Sequence, residues 1–371
     1  MCKQLLRTIV FPVALILVHS TGLAQQQRPP DLKLDASTNR EVIEGVLKAI
    51  RKYYVSPQTG QRIDEIIRRR LNNGEYDKIS SAFDLVHVLD DQLQEISGDK
   101  HIYLGYSYEL QALDEHPEVD TPEDKEGELR NARAENFGFQ KIERLPGNIG
   151  YLDVRRFDRP EFSGETVGAA MTALANTDAL VIDLRNNRGG SPVGMIFMTS
   201  YFFDSEPVHL RDMFFRTANP AQHRPENTTV QYWTYPYLPG KRYLGKDVYI
   251  LTSKRTWSAA EAFSKILQGQ KRAVVVGEST RGGTNPGLFI TIHPHFAVFV
   301  PIGRPVNVDN EISNAEGGVK PDIAVPADQA LKRAQLEALN KKLNRVPDQK
   351  AELEPIINAL KKELEALSPK P

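Results

Sequence analysis

Residues 248–261 have the sequence VYILTSKRTWSAAE, and this stretch decides how the fold is interpreted. The apolar run Val248 to Thr252 predicts a buried strand, and the run from Ser258 predicts the start of a helix. A serine at such a turn presents its hydroxyl at the mouth of a sheet beside free amides, as an acyl-transfer nucleophile requires. Alternatively, Ser258 and Glu261 form a Ser-x-x-Glu capping box, in which the hydroxyl only satisfies an orphan amide.

Strands and helices alternate around this stretch, from Gly147 to about residue 326. The predicted strands are 149–154, 179–184, 248–252, 273–277 and a pair within 288–301, and the predicted helices are 164–175, one after Ser191, and 258–268. Short apolar strands separated by helices imply a sheet with helical cover, so the predicted class is α/β.

Three amphipathic helical patterns precede this core, between Thr38 and Ser97. The first begins at a predicted capping box, Thr38 to Glu41, and the third is ended by Gly98. Their apolar stripes predict a small N-terminal bundle. The predicted organisation is a signal peptide (1–24), the bundle (25–106), an acidic linker with a short strand at 136–142 (107–146), the core (147–326) and two tail helices joined near Pro347 (327–371).

The N-terminus has the pattern of an export signal. Lys3 and Arg7 precede an apolar run, 9–18, and small residues end at Ala24, where we expect cleavage. The mature protein is then expected in the periplasm or outside the cell, without stable membrane insertion. An uncleaved anchor is the alternative. The single cysteine, Cys2, lies inside the signal, which excludes thiol catalysis in the mature chain.

The overall charge excludes a general attraction to nucleic acid. There are 47 basic and 48 acidic side chains, and the formal net charge is -1. With 40% hydrophobic residues the chain can bury a large core. The tail helices have no pattern that indicates chemistry, and they are candidates for packing on the body or for a homo-oligomer interface.

Three further segments could complete a serine site, which needs an oxyanion hole, a base and a group that orients the base. The loop 183–190, DLRNNRGG, ends in Gly189 and Gly190, whose backbone could approach a substrate carbonyl. His101 follows the third helix and has a suitable unperturbed pKa for a general base. Glu316 could orient the charged imidazole. The alternatives are a tight turn, a surface histidine and a turn acid.

These segments, taken together, resemble the tail-specific (C-terminal processing) protease superfamily. The Gly-Asp-x-His corner, the Asp-Leu-Arg-Asn-Asn-x-Gly-Gly loop, Thr-Ser-x-x-Thr-x-Ser-Ala-Ala-Glu and Glu-Gly-x-Val-x-Pro-Asp-Ile occur in the superfamily's order, from about Glu41 to Val325. The resemblance implies a spiral ββα core of the protease/crotonase type with an N-terminal helical bundle. Many relatives insert a PDZ domain after the bundle, but the roughly 40 residues here are too few for one.

The superfamily has two catalytic arrangements, and the sequence discriminates between them. In the processing-peptidase branch a lysine serves as base, but alignment places Gly283 at that position, and Arg281 nearby stays protonated. The resemblance is therefore to the branch of tricorn protease and the interphotoreceptor retinoid-binding proteins, which uses serine, histidine and glutamate. It implies Ser258 as nucleophile, His101 as base and Glu316 as acid.

The implied reaction is hydrolysis of a peptide or protein substrate through an acyl-enzyme, without a metal or organic cofactor. The amides of Ala259 and of Gly189 or Gly190 would form the oxyanion hole, and Trp257 would shape a specificity pocket. We also expect Lys100 to lower the pKa of His101 if its ammonium lies close.

Two other functions fit parts of the sequence. The first is a non-catalytic protein that binds a small hydrophobic ligand or acts as a scaffold on the same fold, with Trp257 and the strand 296–300 lining a groove. The second is a metal enzyme, because His293 and His295 lie two residues apart on an extended chain. No third ligand has a convincing spacing, and two strand histidines without a metal are the simpler interpretation.

Overall fold

In the computed structural model the described residues are 29–111, 113, 122–218, 224–306 and 318–367, so the predicted signal peptide lies outside them. In chain order the elements are α1 (Ala36–Tyr53), α2 (Pro57–Asn72), α3 (Ala82–Ser97), β1 (Tyr103–Tyr106), α4 (Pro122–Ala134), β2 (Phe139–Leu145), β3 (Ile149–Val154), α5 (Pro160–Leu174), β4 (Ala179–Asp183), α6 (Pro192–Ser200), β5 (His209–Phe215), β6 (Thr228–Trp233), β7 (Asp247–Thr252), α7 (Ala259–Gly269), β8 (Val274–Gly277), β9 (Gly287–His293), β10 (Phe296–Pro301), β11 (Gly303–Val306), β12 (Ile323–Ala324), α8 (Ala330–Arg345) and α9 (Lys350–Leu367).

The core is a six-stranded sheet in the order β12-β8-β7-β4-β3-β2. All neighbours pair in parallel except β2 and β3, which are antiparallel. The central strands are buried because helices cover both faces of the sheet: α5, α6 and α7 on one face, and α8 and α9 on the other. The α/β class, the layered core and the helical tail are as the sequence predicted.

The three N-terminal helices pack together as predicted and share one apolar cluster with β1, β9 and β10. Helix α3 ends at Gly98 in the left-handed conformation, φ 69°. The predicted capping box at Thr38 is wrong, because α1 begins two residues earlier. Asp35 is its N-cap and accepts a hydrogen bond from the Thr38 amide at 2.7 Å.

The predicted acidic linker contains regular structure that composition alone did not indicate. Helix α4 occupies residues 122–134, and the predicted strand at 136–142 begins later, at Phe139, and extends to Leu145. This strand is the edge of the core sheet, so the sheet begins before residue 147.

A third sheet, in the order β11-β5-β6, lies between the core and the N-terminal unit. No strand was predicted for residues 201–246, where β5 and β6 lie. Along β5 every second side chain has the same direction, so Arg211, Met213 and Phe215 point to one face. None of the helices in the described part of the chain has both the length and the apolar content that a membrane span needs.

Candidate active site

Ser258 lies at the turn between β7 and α7 in a conformation that non-glycine residues rarely adopt, with φ 56° and ψ -121°. Such backbone strain persists only where the surroundings hold it, and it concentrates at functional sites. The Ser258 amide donates to the carboxylate of Glu261 at 2.9 Å, so the predicted reciprocal bond from Glu261 is present. A helix cap needs no strained serine, which favours the interpretation of Ser258 as a nucleophile.

The turn before Ser258 is bonded to the loop that follows β4. Thr256 Oγ1 donates to the Leu184 carbonyl at 2.8 Å, the Trp257 amide donates to the Asn187 carbonyl at 3.1 Å, and Ser253 Oγ donates to the Arg185 carbonyl. These bonds join two loops at the carboxyl ends of neighbouring parallel strands. The sheet therefore sets the position of the serine and of the glycine loop together.

The glycine loop contacts the serine directly. A Cβ on Gly189, φ +104°, would lie 2.7 Å from Ser258 Cβ and 3.2 Å from its Oγ, so no larger residue fits there. The Gly189 amide is already bonded to Asn187 Oδ1 at 2.7 Å. Within the described residues neither the Gly190 amide nor the Ala259 amide donates a hydrogen bond. Of the three predicted oxyanion donors, these two have free N–H groups.

A cleft opens at the turn. Gly190, Ser258 and Ala259 are at its wall, and the remaining wall is mainly apolar. Its residues from α6, the third sheet and the loop before β9 are Pro192, Met195, Ile196, Arg211, Met213, Phe215, Tyr232, Thr284 and Pro286. A strained serine, two free amides and an apolar cleft are the components that an acyl-transfer site requires.

His101 is buried, at 2% exposure, and its imidazole stacks on the Trp257 ring with centroids 4.9 Å apart. Within the described part of the chain, neither ring nitrogen has a hydrogen-bond partner, and so the imidazole is not bonded to Ser258. Trp257 also contacts the Arg281 guanidinium, whose Cζ is 4.2 Å from the indole ring centroid. The predicted base therefore adjoins the residue before the nucleophile.

Gly283 explains how the histidine is accommodated. A Cβ on Gly283, φ +141°, would lie 2.5 Å from Cε1 and Nδ1 of His101 and 2.9 Å from Nε1 of Trp257. The resemblance described above implies that this position carries the lysine base in the other branch. A side chain at position 283 would overlap the imidazole of His101, so a histidine in this place requires glycine at 283.

Burial lowers the pKa of His101 to about 4, opposed by the nearby carboxylate of Asp99 and reinforced by Arg281. The imidazole is therefore neutral at pH 7 and able to accept a proton. We expected Lys100 to be the cation that lowers this pKa, but it is not. The exposed Lys100 ammonium bonds to the carbonyl of Arg281 at 3.1 Å, and the effective cation is Arg281.

Asp99 is a functional position that the sequence reasoning did not assign. Its buried carboxylate accepts hydrogen bonds from the His101 amide at 2.9 Å, from Asn285 Nδ2 at 2.9 Å and from the Tyr54 hydroxyl at 3.3 Å. It thus joins the histidine corner to the loop before β9 and to the N-terminal bundle. The Gly-Asp-x-His motif was the signal that could have identified it.

Glu261 connects the nucleophile turn with the loop that covers the histidine. Its carboxylate, 1% exposed, accepts from the Ser258 amide, from the Gly282 amide at 2.8 Å and from Thr280 Oγ1. Burial raises the pKa of Glu261, and these three donors oppose that increase. One carboxylate therefore fixes both Ser258 and the segment that ends at Gly283.

Two predicted residues need separate comment. Glu316 lies outside the described residues. Trp257 packs on His101, and the cleft wall described above does not include it, so its role in specificity stays a prediction.

The structure also bears on the two alternative sites, the hydrophobic ligand groove and the histidine metal site. The face of β10 that carries Phe296, Val298 and Val300 is buried in the N-terminal core, so only the opposite face, where the Phe299 ring centroid is 6.2 Å from that of His101, could line the proposed ligand groove. The imidazoles of His293 and His295 are 6.0 Å apart, and the described residues contain no cluster of three side chains that could hold a metal ion.

Comparison with known proteins gives two family matches. The family model described as peptidase family S41 matches residues 148–325. The model described as the N-terminal domain of peptidase S41 in eukaryotic interphotoreceptor retinoid-binding protein matches residues 33–136. Together the two matches include the bundle, every strand of the core sheet except β2, and all the described site residues.

Solved structures share the fold at low identity. A putative peptidase from Parabacteroides merdae has a TM-score of 0.52 and 16% identity, over 78% of this chain and 90% of its own. A lipoprotein from Streptococcus agalactiae has a TM-score of 0.50 and 15% identity, over 85% of this chain and 99% of its own. The tricorn protease aligns with 89% of this chain and 37% of its own, at 14% identity and a TM-score of 0.49.

Proposed function

Because the chain belongs to peptidase family S41, we propose that it is an exported serine peptidase that hydrolyses peptide bonds through an acyl-enzyme on Ser258. One observation carries the proposal: Ser258 is held at a strained turn, at the wall of an apolar cleft, beside the free amides of Gly190 and Ala259. The hydroxyl can serve as the nucleophile. The two amides, which have no partner among the described residues, can donate hydrogen bonds to a tetrahedral oxyanion.

In the proposed reaction, Ser258 Oγ attacks the substrate carbonyl carbon while the neutral imidazole of His101 accepts the hydroxyl proton. The carbonyl oxygen becomes an oxyanion and accepts hydrogen bonds from Gly190 and Ala259. His101 then protonates the leaving amine, the C–N bond breaks, and an ester remains on Ser258. Water, deprotonated by His101, hydrolyses this ester and restores the serine.

The bond between His101 and Ser258 would form when substrate is bound, since catalytic hydrogen bonds are often long or absent without substrate. Removal of one oxyanion donor costs about 3 kcal/mol in comparable sites. We therefore expect the two amides to supply a large part of the rate enhancement.

We assign the orienting acid to Glu316 on two grounds. First, the Trp257 indole nitrogen and both imidazole nitrogens of His101 are buried without a hydrogen-bond partner among the described residues, and a Cβ at Gly283 would touch both rings. Second, Val319, three residues along the chain from Glu316, donates to Thr280 Oγ1 at 2.6 Å.

Export is proposed from the N-terminal pattern, with cleavage after Ala24 and a periplasmic or extracellular location. The substrate is a peptide or protein chain. Helices α8 and α9 pack on the core sheet, and their outer faces stay the candidate interface for a homo-oligomer.

The competing function is a binding protein on the same fold. The observation in its favour is that the imidazole of His101 has no hydrogen bond to Ser258. A binding protein, however, needs neither a strained serine nor unpaired amides beside it. A fluorophosphonate probe separates the two functions, because it reacts only with an activated serine.

The test compares the wild type with Ser258→Ala and with Ser205→Ala, which changes an exposed serine. We expect stoichiometric labelling of the wild type and of the Ser205 variant, none of the Ser258 variant, and labelling that a chelator does not reduce. Mapping of peptide products from a protein mixture then reports cleavage. Folded wild-type protein that takes up no probe would support the binding function.

A further inference from the structure

The cleft beside Ser258 is lined on one side by strand β5, whose inward face has the unusual composition Arg211, Met213, Phe215. Arg211 pairs in register with Tyr232 of β6, and both side chains are at the cleft wall. Substrate pockets are lined mainly by apolar side chains, and the few polar or charged groups in them fix the orientation of the ligand. One arginine among methionine, phenylalanine and isoleucine therefore requires an explanation.

Arg211 has no anionic partner in the described part of the chain: it forms no ion pair and no hydrogen bond there. Burial lowers the pKa of Arg211 to about 10, and Tyr232 only partly opposes this effect, so the guanidinium is still charged at pH 7. A desolvated charge without a partner costs free energy, which an incoming anion can offset.

The described surroundings do not supply that anion. Tyr232 is neutral, because burial raises the pKa of its hydroxyl. Arg224, whose guanidinium lies 3.7 Å from the Phe215 ring centroid, is a second cation that acts on Tyr232. A planar guanidinium can donate two parallel hydrogen bonds to the two oxygens of a carboxylate. Of the groups that a peptide offers, a carboxylate therefore fits the guanidinium best.

We propose that Arg211 is a specificity-determining residue that binds a carboxylate of the peptide substrate in the cleft beside Ser258. This inference rests on the proposed function for its role in cleavage. The carboxylate can come from an Asp or Glu side chain next to the scissile bond or from the C-terminus of the substrate. The two sources have one chemistry, and the experiment distinguishes them.

The experiment measures binding and cleavage with the same probes. They are fluorescein-labelled pentapeptides in which one Glu is moved along an alanine chain, with Gln and Leu counterparts, each as terminal acid and as terminal amide. Binding is measured by fluorescence anisotropy on the full-length Ser258→Ala variant, with and without Arg211→Gln. Cleavage is measured as kcat/KM on the wild type and on Arg211→Gln.

We expect a carboxylate peptide to bind about tenfold to a hundredfold more tightly than its isosteric amide, as charge-assisted hydrogen bonds predict. Arg211→Gln should abolish the difference, and Arg211→Lys should keep part of it. If the preference follows the Glu side chain in amidated peptides, the source is the side chain. If it disappears on terminal amidation, the source is the C-terminus.

Arg304→Gln is the matched control. Arg304 lies on the adjacent strand β11, opposite Phe214, whose side chain points to the other face of the sheet from Arg211. This variant removes the same charge and should leave the preference unchanged. Equal binding of Glu, Gln and Leu peptides, or a preference for Leu, would overturn the proposal.

Failure of the proposed function has a different signature. A wild type that cleaves no peptide and reacts with no fluorophosphonate, while the Ser258→Ala variant still prefers carboxylates, would remove the peptidase and leave the anion site. Arg211→Lys, which keeps the charge, serves as the test if Arg211→Gln does not fold: a reduced preference for the carboxylate peptide at unchanged stability supports the contact, and an undiminished preference overturns it.

Discussion

The two halves of the candidate site are built in different ways. Ser258 and its amides come from loops at the ends of two neighbouring strands of the core sheet, and backbone bonds between these loops fix them. His101 comes from the N-terminal unit and contacts Trp257 and Gly283 of the core, while the neighbouring Asp99 accepts a hydrogen bond from Asn285. The serine half is held within the core sheet, whereas the histidine half depends on packing between the N-terminal unit and the core.

This difference predicts how substitutions in each half affect activity. A change in the serine half removes chemistry directly, while a change in the histidine half acts through the position of one ring. The loop 280–286 is the connection between the halves, because Glu261 holds its beginning and Asp99 holds Asn285.

The largest effect is expected from Ser258→Ala. Removal of the nucleophile should reduce turnover by about 10⁴-fold or more and abolish fluorophosphonate labelling. Turnover is measured on any peptide that the wild type cleaves. Residual activity within about tenfold of the wild type would show that another group is the nucleophile, and the comparison between the two halves would lose its basis.

Gly283→Ala should break the histidine half and leave the serine half intact. The added methyl group would overlap the His101 imidazole, and a displacement of about 1 Å can cost about 100-fold in rate. The measurement is kcat/KM together with the free energy of unfolding.

Gly245→Ala is the control for backbone strain alone. Gly245 also has a positive φ, 66°, but an added Cβ there meets no atom within 4 Å. Both variants should therefore lose some stability, and only Gly283→Ala should lose activity. Equal activity in the two variants would contradict the assigned place of His101.

Glu261→Gln tests the connection between the halves. The amide has one acceptor oxygen where the carboxylate has two, so at least one buried donor loses its partner, at about 1–3 kcal/mol of unfolding free energy. Urea denaturation measures the loss. Glu278→Gln, which affects a carboxylate that accepts from the Lys254 amide, is the control and should cost less. Equal losses of unfolding free energy in the two variants would show that Glu261 does not join the two halves of the site.

The smallest effect concerns pH. Because the imidazole must be neutral to accept a proton, the acid limb of kcat/KM should lie near pH 4, the pKa of His101, and not near the ordinary histidine pKa of 6.5. Arg281→Gln removes a cation that lowers this pKa. The limb should then move upward, by up to about one unit. A limb that stays near 6.5 in both proteins would exclude a buried His101 as the base.

The sequence predicted the core well because the signals there are local. The strand Ile149–Val154 has the predicted bounds, and the turn at Gly98 ends α3 as expected. The prediction failed where composition hid structure: α4 lies in an acidic segment, and β5 and β6 have mixed polar and apolar faces that gave no clear alternation. Arg211 was missed for that reason.

By itself, the sequence determined the strand-to-helix turn at Ser258 and the glycine loop after β4, because a few contiguous residues specify each of them; that histidine serves as base in place of lysine stays a prediction. Only the tertiary structure decided that the imidazole of His101 fills the space over Gly283, that Asp99 and Glu261 hold the connecting loop, and that Arg211 faces the cleft. Those facts depend on packing between residues far apart in the chain, and no local pattern encodes the distance between them.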